Sequence, residues 1–163
     1  MINIISDEIS QMCFSQFGSC VYYFKLADGR KVIIDTSTKK NKEELLEDLD
    51  KLKIDPASVD TLILTHTHWD HVENAGVFSN AEIFNNENID DLEIEGMKVF
   101  RCPGHTFDSI ALLYKKFLFS GDTLFHGSGI GRRDLEESEP EKMDESLALL
   151  RGLDYDVLCP GHV

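Results

Sequence analysis

Two periodicities alternate along this chain. Cys20 to Leu26 and Lys31 to Asp35 are short apolar-rich runs that predict two strands, and Asp28-Gly29 between them is a hairpin turn signal. From Asn41 to Lys53, Leu45, Leu46, Leu49 and Leu52 recur at helical spacing with charges elsewhere. That pattern predicts an amphipathic helix with one buried face, ended by Asp55-Pro56. Thr61 to Leu64 is a short apolar strand. Met97 to Cys102, Ser109 to Tyr114 and Phe117 to Ser120 predict three more, with Lys115-Lys116 as a tight turn. Glu141 to Leu153 reads as a second amphipathic helix with Pro140 at its start, and Val157-Leu158 as a last short apolar run. Strands, helix, strand, loop, strands, helix, strand is the order of an α/β protein whose helices pack outside two sheets.

Composition narrows the class. A chain of 163 residues suits one domain with one core, and 42% hydrophobic with 28% charged residues is ordinary globular material. No internal repeat or low-complexity segment is visible. No apolar run approaches the roughly 20 residues of a membrane helix. The first residues, Met1 to Asp7, are too short an apolar run and too acidic for a signal peptide, so a cytoplasmic location is expected. The net charge of -14 repels phosphate backbones and argues against nucleic acid as a partner. Glu43, Glu44, Glu47, Asp48 and Asp50 clump on the first helix and read as a solvated face. With no export signal, Cys13, Cys20, Cys102 and Cys159 are not expected to form a disulfide framework. Cys102 and Cys159 end apolar runs and read as small buried hydrophobes.

The chemistry concentrates in histidines. His66-Thr67-His68-Trp69-Asp70-His71 follows the Thr61–Leu64 strand directly. A single histidine there would usually be a satisfied core or surface residue. Four ligand-type residues within six positions are different, because burying so many titratable groups without a cation is costly. In extended backbone His66 and His68 point to one side and can grip one metal, while Asp70 and His71 can face a second. His105, Asp122 and His162 each follow a short apolar strand, in Cys102-Pro-Gly-His105, Ser120-Gly-Asp122 and Cys159-Pro-Gly-His162. All can converge at one sheet end, and a carboxylate such as Asp122 can bridge two cations. Imidazole with carboxylate suits zinc, and also iron or manganese.

Taken together, His-x-His-x-Asp-His, two Pro-Gly-His and one Gly-Asp resemble the metallo-β-lactamase superfamily over nearly the whole chain. The resemblance implies a compact four-layer αβ/βα sandwich over residues 1–163 with its site at one edge. It also implies a ligand set: His66, His68 and His105 for one metal, Asp70, His71 and His162 for the other, and Asp122 between them. Gly121-Asp-Thr-Leu-Phe125 and Gly129-Ile-Gly-Arg132 narrow the likeness to the glyoxalase II-type branch, which includes thioester hydrolases. Penicillin-hydrolysing members usually carry cysteine where Asp122 stands, which argues against β-lactams. Departures exist. Asp35-Thr36-Ser37 replaces the family's frequent Asp-x-Gly, and Asp108 stands where glycine is common. The helical C-terminal extension that supplies part of the glutathione site in glyoxalase II is not expected here.

The resulting expectation is hydrolysis of a small thioester or related acyl ester by a hydroxide between two divalent ions, zinc first, with Asp122 and Asp70 as the catalytic carboxylates. Arg132 matches the basic residue that contacts substrate in glyoxalase II-like enzymes, and equally reads as a surface partner of Asp134. Asp35 could orient a ligand histidine. His126 reads as a loop residue, and Trp69 as a packing residue. Two alternatives stand beside this. Persulfide dioxygenases also carry a Gly-Arg-x-Asp stretch, matched by Gly131-Arg-Arg-Asp134, and hold one iron at the positions of His66, His105 and Asp122. The other is a catalytically idle metal-binding protein.

Overall fold

The structure is a computed structural model describing residues 1–163, in two compact units: Met1–Leu64 with His68–Phe84, and Thr65–Thr67 with Asn85–Val163.

The first unit is a six-stranded sheet in sequential order: β1 (Ile2–Ile4), β2 (Ile9–Met12), β3 (Val21–Lys25), β4 (Lys31–Ile34), β5 (Thr61–Ile63) and β6 (Glu82–Phe84). The first four run antiparallel, whereas β4–β5 and β5–β6 pair parallel. The β3–β4 turn closes with Leu26 N–H donating to Arg30, and Gly29 takes φ 97°, a left-handed conformation that glycine adopts without a Cβ clash. Helix α1 (Lys42–Lys51) lays Leu45 and Leu49 on Met12, Val21, Ile33 and Leu62. The strand residues of opposite parity, Ile9, Phe24, Val32, Ile34 and Ile63, are buried as well. Burial on both faces explains why β4 and β5 read as continuous apolar runs rather than alternating ones.

Two details of α1 differ from the expected helix. Leu46 is 39% exposed and lies off the buried stripe. Asp48 is buried rather than solvated, held by Lys51 Nζ at 2.8 Å and the Met1 ammonium at 3.1 Å. These two cations outweigh the burial that would raise its pKa, so its carboxyl titrates below the usual range. Strands β1, β2 and β6 and the four-residue helix α2 (Trp69–Val72) were not anticipated from the pattern.

The second unit is a four-stranded sheet in the order β10-β9-β8-β7, with β7 at Met97–Arg101, β8 at Ile110–Tyr114, β9 at Phe117–Gly121 and β10 at Val157–Pro160. Helix α3 (Pro140–Arg151) has Pro140 in its first turn, where a missing N–H costs nothing. Its Met143, Leu147 and Leu150 pack on Cys102, Ala111, Leu113, Leu118 and Leu124. Cys102 and Cys159 are buried, and burial pushes both thiols up to about 12, so they behave as small core residues. No helix is long and apolar enough to cross a membrane.

Candidate metal centre

Strand direction decides where the donors emerge. In the second unit β8 runs antiparallel to β7 and β9, and β10 runs parallel to β9. The carboxyl ends of β7, β9 and β10 therefore share one edge. His105 follows β7, Asp122 follows β9 and His162 follows β10. Ile110 N–H, at the start of β8, donates to Thr65 O, which brings His66 to the same edge.

The four donors converge there. One carboxylate oxygen of Asp122, Oδ2, lies 3.5 Å from His105 Nε2 and 3.4 Å from His162 Nε2. The His66 ring meets the His105 ring edge-on with centroids 5.0 Å apart, and His66 offers a nitrogen within 4.8 Å of donor atoms of His105 and Asp122. His66, His105 and Asp122 are buried.

The tautomer of His105 follows from its other nitrogen. Nδ1 lies 2.8 Å from the Arg132 carbonyl, which can only accept, so Nδ1 carries the hydrogen, and in the neutral ring that metal binding requires Nε2 presents a lone pair beside Asp122. Two acceptors at 3.5 Å do not make a hydrogen bond, but they fit two ligands of one cation. Ligands about 2.0–2.1 Å from a tetrahedral metal lie about 3.4 Å from each other. The donor set and its spacing therefore fit a divalent metal.

Backbone closeness shapes this edge. Gly131 presses on the site so tightly that a Cβ there would sit 2.0 Å from Asp122 O and 2.9 Å from His105 Cγ. Gly121 takes φ 50° just before Asp122, and a Cβ would meet the Thr65 side chain at 2.8 Å. Both positions require glycine.

The first unit positions the remaining candidates. Because β4 and β5 are parallel, Asp35 after β4 and the histidine segment after β5 leave the sheet at one edge. Asp35 is buried, with φ 58°, a left-handed conformation that aspartate tolerates better than most residues. Its Oδ2 accepts a hydrogen bond from His71 Nδ1 at 2.8 Å, which leaves His71 Nε2 as the lone-pair nitrogen. Thr36 grips the same turn through its N–H and its hydroxyl, both donating to His71 O. Asp70 and His71 sit on α2 with donor atoms within 4.8 Å of each other, and His68 is the residue just before that helix. Trp69 is 54% exposed rather than packed inside, with its ring 6.0 Å from the exposed Phe17.

Other residues fall as follows. The Arg132 guanidinium forms a two-pronged bridge to Asp134 at 2.9 and 3.0 Å and is exposed. That pairing keeps the Asp134 carboxyl below its usual range. His126 is exposed and opens a three-residue 3-10 turn, His126–Ser128, where a plain loop was expected. Sequence reasoning did not anticipate the Arg132 carbonyl as the anchor of His105 or the close approach of Gly131. Only the glycine of Gly129-Ile-Gly131 hinted at the latter.

Known proteins are similar to this chain in sequence and fold. A protein of Methanocaldococcus jannaschii described as a probable metallo-hydrolase is 33% identical over 129 residues, spanning 72% of this chain and 62% of its own length. A hydroxyacylglutathione hydrolase of Serratia proteamaculans is 31% identical over 153 residues, spanning 82% of this chain and 57% of its own. The match thus spans less than two thirds of either relative. A protein solved in a di-iron-bound form shares the fold with a TM-score of 0.77 at 22% identity, over 94% of this chain and 91% of that one. The family description of the metallo-beta-lactamase superfamily matches residues 16–98 and 75–162. The mixed α/β structure with its two sheets agrees with that fold, and the chain belongs to the metallo-beta-lactamase superfamily.

Proposed function

We propose that this protein is one catalytic domain that hydrolyses a small thioester or related acyl ester with two divalent metal ions. His66, His68 and His105 would hold one ion, Asp70, His71 and His162 the other, and Asp122 would be shared. The observation that carries this reading is the position of Asp122 Oδ2, 3.5 Å from a histidine of the first set and 3.4 Å from a histidine of the second. When bound, the ions would lower the pKa of water toward neutrality and offset the charge that develops on a carbonyl oxygen. The chain's own residues supply orientation. Arg132 O fixes the His105 ring, Asp35 fixes His71, and the peptides of Gly121 and Gly131 let the backbone approach closely enough to hold Asp122.

A thioester suits such a site because its leaving group departs as a thiolate. With a thiol pKa of about 8.5 it needs no strong acid beside it. Hydroxyacylglutathione hydrolase among the relatives supports the same substrate class. Zinc is the proposed metal on donor chemistry, with iron or manganese able to use the same ligands. A small-molecule substrate and a cytoplasmic setting complete the reading, and Arg132 is the proposed contact for a substrate carboxylate once its exposed bridge to Asp134 opens.

The test is elemental mass spectrometry on protein purified without added metal, followed by a thioester screen. About two divalent ions per chain with thioester hydrolysis is the expected result. About one iron per chain, with oxygen uptake on persulfides and no thioester turnover, would replace the hydrolase with a mononuclear dioxygenase.

A further inference from the structure

Cys13 and Cys20 lie at the open end of the β2–β3 ladder. The register pairs Met12 with Val21, so the next pair outward is Cys13 opposite Cys20. Cys13 exchanges both main-chain hydrogen bonds with Met1 on its other side. A strand residue directs its N–H and C=O to the same side, so toward β3 this is a non-hydrogen-bonded pair, the type with Cα atoms about 4.5 Å apart. A disulfide spans Cα separations of about 4.4–6.8 Å. The two sulfurs already lie 3.4 Å apart, and both thiols are free.

We propose that Cys13 and Cys20 form a reversible disulfide by exchange with low-molecular-weight disulfides, Cys13 attacking and Cys20 resolving. Their surroundings divide the roles. Cys13 is half-buried, and a hydrogen bond from Cys20, supported by the Asn3 amide, holds its thiol below the usual value. Cys20 is buried beneath it with its thiol pushed up by the same partner and by desolvation. The Cys13 thiolate attacks one sulfur of RSSR, forming a mixed disulfide and releasing one RS⁻. Cys20 then yields its proton to solvent and attacks Cys13 Sγ, forming the Cys13–Cys20 bond and expelling the second RS⁻. Two protein thiols are oxidised, one small disulfide is reduced to two thiols, and excess thiol reverses the exchange.

The bond would close the six-residue loop 14–19 at its base. That loop bears on α2: Ser19 N–H donates to Asp70 O at 2.9 Å, and Phe17 rests against Trp69. The Asn41 amide and Thr38 hydroxyl tie Gln16 and Phe17 to the turn preceding α1. The disulfide therefore staples a loop that already buttresses the Asp70 helix, so it can form without refolding the strands around it.

The experiment treats the intact protein with oxidised glutathione at neutral pH, traps remaining thiols by alkylation, and maps peptides by mass. Wild type should give the 13–20 crosslink, reversed by dithiothreitol. Cys102 and Cys159 should react at least about ten-fold more slowly than Cys13, because burial keeps them protonated. Cys20→Ser should stop at a glutathione adduct on Cys13, and Cys13→Ser should leave Cys20 unmodified, each with an unchanged circular dichroism spectrum. Absence of the crosslink in wild type overturns the proposal. So does adduct formation at Cys20 of Cys13→Ser as fast as at Cys13 of Cys20→Ser.

Discussion

The Nδ1–H of His105 donates to the main-chain carbonyl of Arg132 over 2.8 Å. Arg132 thus meets the metal edge through its backbone, while its guanidinium is turned to Asp134. The two roles separate by substitution. Arg132→Ala keeps the carbonyl and loses only an exposed ion pair, which contributes little to stability. Metal content and melting temperature should be unchanged, while KM rises for substrates bearing a carboxylate. A variant that loses metal would show that the side chain, not the carbonyl, positions His105; an unchanged KM would make the guanidinium purely structural.

Gly131→Ala should be far more damaging than a single methyl suggests. The added Cβ would fall 2.0 Å from Asp122 O and 2.9 Å from the His105 ring, and rigid backbone on one side cannot yield cheaply. Either the 129–132 segment or the two donors must move. Displacing that support typically costs metal sites about 10- to 100-fold in affinity. Competition with a chromogenic chelator should show a loss of that order. Wild-type affinity in this variant would mean that the segment relaxes freely and that the close approach is incidental.

The sequence made the donors legible because histidine and aspartate at strand ends have few structural reasons to cluster, and the long apolar runs of β4, β5, β8 and β9 announced themselves through burial on both faces. What it concealed was non-local or carried by the backbone. The three residues of β6, Glu82-Ile-Phe84, have only Phe84 buried and become a strand through parallel pairing with β5. In β1 and β2, polar Asn3, Ser10 and Gln11 interrupt the apolar pattern, and their ladder depends on β3. Asp48 looked solvated because its partners, Lys51 and the chain terminus, lie 3 and 47 positions away. The Arg132 carbonyl that orients His105 has no side-chain signature at all.

Asp35 has two duties that substitution can separate. Its carboxylate accepts the His71 Nδ1–H, and its backbone holds φ 58° at the end of β4. Asp35→Gly relieves the backbone demand but removes the acceptor; Asp35→Asn keeps an acceptor oxygen and loses the charge. If the carboxylate orients a metal ligand, Asp35→Gly should weaken metal binding about 10- to 100-fold, and Asp35→Asn by less. Chelator titration distinguishes them. Equal, wild-type affinities in both variants would reduce the Asp35–His71 pair to packing.

Asp122→Ala is the sharpest test of the shared carboxylate. Oδ2 stands between two imidazole nitrogens, at distances that suit a ligand of one cation with His105 and of a second with His162. Removing it should take bound metal and hydrolytic activity away together, whereas loss of an ordinary polar contact would cost stability and spare the metal. Heat supplies a second readout. An ion that binds only the folded chain raises its melting temperature by mass action, so a chelator should lower that of wild type and leave Asp122→Ala unmoved. Full metal occupancy in Asp122→Ala, with melting still sensitive to chelator, would reject the bridge and return the donors on either side of Asp122 to independent sites.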